Sequence, residues 1–283
     1  MQTMHYAQTD TADTGTLRTE VVSTTDNLPI EGARIQISYS GDPSQQIEEV
    51  STDESGMSEA ITLNTPPLEY SMSPSQNQPF SQYTIQVSAP GYRPFTVSGI
   101  QVLPEELSLQ KVRLTREEAS GSGIDAITIP LNTLYGNFPP KIPESEIKPV
   151  SESGEIVLSR VVIPEYVVVH DGPPGDASAR NYYVRYRDYI KNVASSEIYA
   201  TWPDATIRAN VLAIMSSTLN RVYTEWYRGK GYNFTITSST AYDHKFIPGR
   251  NYYQSISRIV DEQFENYLSR PGITQPILTQ YCD

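Results

Sequence analysis

Apolar residues recur at every second position between Leu17 and Leu114, and at every third or fourth position between Tyr189 and Leu268. That change of period constrains the fold more than any other feature. A two-residue repeat places side chains on alternate faces of a strand, whereas a 3.6-residue repeat lines one side of a helix. The chain must therefore hold a β part followed by a part with helices. In the first part Leu17, Thr19 and Val21 share one face, and so do Ala33, Ile35, Ile37 and Tyr39 beyond the turn at Asn27-Leu28-Pro29. Ile61-Leu63, Tyr83-Ile85-Val87, Phe95-Val97, Ile100-Val102 and Leu107 to Leu114 continue the pattern. Gly, Pro and Asp interrupt it about every 8 to 12 residues, which predicts an antiparallel β-sandwich. Asp53-Glu54-Ser55-Gly56 and Ala89-Pro90-Gly91-Tyr92 read as tight turns in which glycine supplies the positive φ.

A length of 283 residues leaves room for two modest cores. The longest apolar runs, Val161 to Ile163, Tyr166 to Val169 and Val211 to Met215, fall far short of the ~18 to 20 residues that span a bilayer, so no membrane insertion is expected. A single Cys excludes an internal disulfide framework and a Cys-rich zinc fold. The net charge of −12 argues against nucleic acid as a partner. Most of that charge lies in residues 1–118, with 6 basic against 16 acidic side chains, while the remainder has 15 against 17. The first residues, Met1 to Tyr6, carry neither a basic nor an apolar signal-peptide region. Residues 1–14 read as a disordered tail. Residues 116–160, with Glu117-Glu118-Ala119-Ser120-Gly121-Ser122-Gly123, Pro139-Pro140, Pro143 and Pro149, read as a linker.

Beyond the linker, Val161 to Val169 reads as a strand interrupted by Pro164. Tyr189, Ile190, Val193 and Glu197 have helical spacing. Thr201 and Asp204, on either side of Trp202-Pro203, have the spacing of a capping box. The next stripe, Ile207, Val211, Ile214, Met215, Thr218, Leu219, Val222 and Trp226, predicts a long buried helix ending at Gly229-Lys230-Gly231. A short strand is expected at Phe234 to Ile236. A third helix is expected on Ile256, Ile259, Val260, Phe264, Tyr267 and Leu268, stopped by Pro271-Gly272.

Two resemblances follow. Pro29 to Ile35, Thr52 to Gly56, Tyr83 to Val87 and Ala89 to Tyr92 look like the carboxypeptidase-regulatory-like, or collagen-adhesin B-type, sandwich over about residues 15–115. Such modules are usually non-catalytic spacers. Residues Tyr189 to Pro203, followed by a long helix, resemble the SpoIID/LytB family of sporulation proteins over about residues 161–283. Ala213 to Arg221, Gly231-Tyr232 and Thr237 to Tyr242 add to that likeness. The chain departs from the family at Ile198-Tyr199, where methionine-proline is usual, and at Ser216-Ser217-Thr218. The family's glycine-rich serine-glutamine-tryptophan-glycine segment is not met before Asp283, so the domain is expected to be C-terminally incomplete. The fold class expected is therefore multidomain: an all-β, immunoglobulin- or prealbumin-like sandwich followed by an α+β SpoIID-like domain.

The resemblance implies a peptidoglycan lytic transglycosylase-like enzyme of a cell wall or spore cortex, with Glu197 catalytic and glycan strands as the partner. Chemistry allows a single carboxyl here. Hydrolases add a second carboxylate to activate water or attack carbon, but in a transglycosylase the muramic acid C6 hydroxyl is the nucleophile. Glu197 lies among Val193, Ile198, Tyr199 and Trp202, an apolar setting suited to an acid. The plainer reading is a solvated glutamate near a helix end. Tyr199, Trp202, Tyr223, Tyr242 and Asp243 could line a glycan groove, because aromatic faces stack on sugar rings; singly, each is a core or rim residue. Glu225 beside Arg221 and Arg228 reads as a surface ion-pair face, and Asp261-Glu262 as a solvated one. His244 and Cys282 are too few to define a zinc site, and no cofactor is implied. The competing reading is a non-catalytic structural or binding component of a spore layer, phage tail or contractile injection particle. Location would then be the spore or cell envelope, or an extracellular or phage-like particle.

Overall fold

The structure, a computed structural model, describes residues 12–74, 77–117, 124–134, 138–142 and 158–279. Two compact units emerge, Met1–Thr133 with Gly249–Gln254, and Leu134–Pro248 with Ser255–Asp283.

The first unit is a β-sandwich. Its strands are β1 (Asp13–Ser23), β2 (Arg34–Tyr39), β3 (Asp42–Ser51), β4 (Ile61–Thr65), β5 (Ser81–Ser88), β6 (Phe95–Val102), β7 (Leu107–Leu114), β8 (Asp125–Thr128) and β12 (Tyr252–Tyr253), with one helical turn, α1 (Glu69–Met72). One sheet has the order β12-β7-β1-β4 and the other β3-β2-β5-β6-β8. Leu17, Val21, Val112 and Leu114 from the first sheet and Ile35, Ile37, Ile85, Val87, Val97, Ile100 and Val102 from the second are buried. The alternation that marked these strands is therefore the mark of a sandwich interior, each buried aliphatic contributing ~1.5–3 kcal/mol. β1 and β7 run parallel, with Val21 opposite Val112.

The unit reaches beyond the 15–115 span read from periodicity. β1 begins at Asp13, β8 comes from the Pro-rich stretch to pair parallel with β6, and β12 pairs antiparallel with β7. Residues 1–11 and most of 116–160 lie outside the described residues. The β12 segment is clasped by Gln101, whose N–H donates to Asn251 Oδ1 at 3.1 Å and whose carbonyl accepts from Asn251 Nδ2 at 2.8 Å. Arg250 donates to Gln101 Oε1 at 2.8 Å. The expected turn at Asp53 is present: its Oδ1 accepts from the N–H groups of Ser55 and Met57, and Gly56 takes φ +74°. Gly99, at φ +81°, sits where a Cβ would strike the Ile129 carbonyl, so no other residue fits this kink in β6. β3 is an exposed edge carrying Asp42, Glu48 and Glu49, charges that discourage pairing with another chain.

The second unit has a three-stranded sheet of order β10-β9-β11, formed by β9 (Tyr166–His170), β10 (Asn181–Arg185) and β11 (Ile236–Thr237). Its helices are α2 (Tyr186–Glu197), α3 (Asp204–Tyr223) and, from Ser255 onward, α4 (Gln254–Gln263). Ile207, Val211, Ile214, Met215 and Leu219 of α3 are buried as expected, whereas Val222 is half-buried. Pro203 is the N-cap without a side-chain bond, and Asp204 turns outward to Arg208 and Arg258.

α3 also stops short of the glycines at 229–231. Trp226 N–H bonds the Arg221 carbonyl and Glu225 N–H the Val222 carbonyl, a Schellman motif whose left-handed position is held by Glu225 at φ +46°. The third helix ends at Gln263, leaving Phe264, Tyr267 and Leu268 outside it. No helix among the described residues is long and apolar enough to cross a membrane.

Candidate functional site

Along α2, Tyr189, Asn192 and Glu197 project from one side of the helix. All three hold the segment that follows β11. Tyr189 Oη lies 3.2 Å from His244 Nδ1. Asn192 donates to the Ile247 carbonyl at 2.8 Å and accepts from the Ile247 N–H at 3.0 Å. Glu197 Oε1 accepts from the Lys245 N–H at 2.7 Å. The helix thus presents the carboxyl of its last residue in a fixed direction. Glu197 is half-buried, its Oε2 is shut off from water, and Val193, Ile198 and Tyr199 around it are buried.

Tyr199 and Trp202 meet edge to face at 5.8 Å between ring centroids. Trp202 is half-buried; the Tyr199 ring is interior, and its hydroxyl accepts from the Leu134 N–H at 3.4 Å. The extended backbone at Ile198 ends α2 and brings these rings directly after the glutamate. Glu197, Tyr199 and Trp202 are therefore contributed by one continuous turn of chain, with Lys245 added from the facing segment.

Asp243 and Arg221 form the polar centre of this unit. Arg221 Nε donates to Asp243 Oδ1 at 2.6 Å, with the two side chains 0% and 1% exposed. Asp243 Oδ2 accepts from Tyr227 Oη at 2.7 Å, from the Thr237 N–H at 2.9 Å and from Thr237 Oγ1 at 2.7 Å. Burial pushes the Asp243 carboxyl up, but the Arg221 charge and these donors outweigh it, so its pKa lies below the ordinary value. His244 beside it is fully enclosed. Burial, with Lys141 nearby, pushes its pKa down to about 3, so the ring is neutral at pH 7.

These placements separate the residues singled out from sequence. Asp243 faces inward, every oxygen engaged by the protein, and so does not line a groove. Tyr223 is buried at the end of α3. Tyr242 is half-buried, and its carbonyl accepts from Arg221 at 3.1 Å. Of the ion-pair face expected of Arg221, Glu225 and Arg228, the Arg228–Glu225 pair is present at 4.0 Å, whereas Arg221 turns inward to Asp243. Asp261 and Glu262 are exposed as read, joined to Lys191, Arg208 and Arg258. Asn192, Arg221, Tyr227 and the Lys245 N–H are the participants that sequence reasoning missed. Only Arg221 carried a signal, an arginine set in the buried second half of a long helix. Cys282 lies outside the described residues, and among those described no group of three His, Cys, Asp or Glu side chains could hold a metal ion.

No protein-family model matches the chain, and no curated protein matches it. Among solved structures it is similar to the minor pilin GBS52 of Streptococcus agalactiae, at 11% identity and a TM-score of 0.28 over 40% of this chain and 48% of that one. It is also similar to the wild-type catechol 1,2-dioxygenase of Acinetobacter radioresistens, at 19% identity and a TM-score of 0.25 over 42% and 59%. A third likeness is to the Bacillus anthracis TIE protein, at 15% identity and a TM-score of 0.25 over 37% and 17%. The chain thus spans less than two thirds of the length of each of these proteins.

Proposed function

We propose that the second unit is a SpoIID-like domain that binds peptidoglycan glycan strands and cleaves them as a lytic transglycosylase, with Glu197 as acid and then base. The observation that carries this reading is the Glu197 carboxyl, fixed through Oε1 by the Lys245 N–H at 2.7 Å and followed at once by the Tyr199–Trp202 pair. In this scheme the residues that cover Glu197 Oε2 move aside as a strand binds, and the carboxyl then gives its proton to the glycosidic oxygen as the C1–O bond breaks. The resulting carboxylate then takes the proton of the muramic acid C6 hydroxyl as that oxygen bonds to C1. No second carboxylate and no water are consumed. Trp202, half-buried beside the glutamate, supplies an aromatic face for a sugar ring.

A second reading rests on the same bond. Because Glu197 also ties α2 to the segment at Lys245, its carboxyl has a structural duty that a non-catalytic component of a spore layer, phage tail or injection particle would equally need. Glu197→Gln separates the two, since the amide oxygen still accepts from the Lys245 N–H but the acid is gone. Incubation with purified glycan strands is expected to release 1,6-anhydro-muramyl products with the parent chain and none with the variant. Strand binding retained by both, with no product from either, would favour the non-catalytic reading.

A further inference from the structure

A cavity of about 260 Å³ opens in the second unit, away from the turn of chain that carries Glu197, Tyr199 and Trp202. It is bordered by Tyr166, Trp226 and Phe234, with Arg221, Glu225 and Arg228 among its other walls. Its volume falls just below the ~300–1,000 Å³ of sites for drug-sized ligands, which suits a single ring with a substituent. The walls combine two chemistries. Phe234 is buried and held rigid by stacking on His170 at 4.4 Å, while Tyr166 at the start of β9 is 44% exposed. Trp226 is half-buried, with Lys230 Nζ lying 3.7 Å from the ring centroid. Against these aromatic surfaces stand one carboxylate and one solvent-facing guanidinium, Glu225 and Arg228, the latter 55% exposed.

Glu225 is the unusual member. It occupies the left-handed position of the Schellman turn, where glycine is the ordinary occupant because it alone bears no steric penalty. A strained residue whose side chain borders a cavity is a pointer to function. Its carboxylate can accept from ring hydroxyls, while the planar Arg228 guanidinium matches a carboxylate with two parallel N–H donors. Aromatic walls offer faces for the C–H side of a pyranose.

We propose that this cavity binds one pyranose ring bearing a carboxylate, with Tyr166 and Trp226 against the ring, Glu225 on its hydroxyls and Arg228 on the acid. The site deepens the function proposed above, and rests on it for the choice of N-acetylmuramic acid as the probe. N-acetylglucosamine, the same ring without the lactyl acid, is the control. With the full chain carrying Trp202→Phe, Trp226 becomes the only tryptophan and reports binding by fluorescence. N-acetylmuramic acid is expected to give a saturable change and to bind at least about tenfold more tightly than the control. Arg228→Gln should remove that difference, and Tyr166→Ala should weaken both sugars. Both residues are exposed enough for the variants to fold.

Glu197→Gln should leave the binding unchanged, which keeps this test separate from that of cleavage. Binding without product release from strands would sink the cleavage reading and leave the site standing. Product release with no saturable monosaccharide binding, equal binding of the neutral sugar, or indifference to both Arg228→Gln and Tyr166→Ala would overturn the site alone.

Discussion

Arg221 Nε reaches Asp243 Oδ1 at 2.6 Å inside a shell that excludes water from both side chains. Desolvating two charges is costly, and the cost is offset here by their mutual attraction and by the Tyr227 and Thr237 donors. Removing one member leaves the other charged and buried. Asp243→Ala should therefore destabilise the second unit by ~3–5 kcal/mol. Asp204→Ala, at an exposed ion pair, should leave the urea midpoint within error of the parent.

Stability should fall on acidification because of two neighbours. His244 has a folded pKa near 3, below its unfolded value, so the folded state resists protonation. Its contribution is complete above the unfolded pKa and is lost as pH falls from the ordinary value of 6.5 toward 3, at roughly 1 kcal/mol per pH unit. The lowered Asp243 pKa adds a loss below about pH 4, once the unfolded chain begins to take up that proton. Urea titrations at pH 7 and pH 5.5 should show the first loss, and His244→Gln should flatten it. An unchanged pH slope in that variant would count against a buried neutral imidazole.

Glu197 can be tested for its structural share without any substrate. Glu197→Ala leaves the Lys245 N–H without its acceptor and should cost ~1–3 kcal/mol, whereas Glu197→Gln should cost less because it keeps an oxygen in the same place. Thermal melts of the three proteins decide it. Equal stability of Ala and Gln variants would mean that the bond contributes nothing to the fold.

Glu225→Gly should do the opposite of most substitutions and stabilise the end of α3 by about 1 kcal/mol, since the left-handed conformation costs glycine little. The same variant should bind N-acetylmuramic acid more weakly. A gain in urea midpoint coupled to a loss of affinity is the signature expected of strain kept for a purpose.

Long, regular elements were legible in the sequence, and short or non-local ones were not. Leu17, Ile35, Ile85 and Val112 announced their strands because sheet interiors repeat every two residues, and Val211 and Met215 announced α3 in the same way. β8 and β12 have four and two residues, too few for any period, and exist because β6 and β7 have edges to pair with. The end of α3 was misplaced because Gly229 and Gly231 look like helix stops, while the actual stop uses a glutamate. At the candidate site, Glu197 and its aromatic neighbours could be found because they are contiguous. Asp243 looked like a groove residue because it lies in a polar loop. Its inward turn depends on Arg221, a partner 22 positions away that lies on a different element.

The clasp of Gln101 on Asn251 fixes an order of events during synthesis. A four-stranded sheet that needs Tyr252 and Tyr253 at its edge cannot close when the first 133 residues leave the ribosome; it must wait until Leu134–Pro248, the larger part of the second unit, has been made. Until then the backbone groups of β7 and Gln101 that later meet β12 face solvent. An early stop in translation, or a protease cut shortly before Gly249, would release a sandwich with β7 as an additional unpaired edge, a shape prone to pair with a second copy of itself.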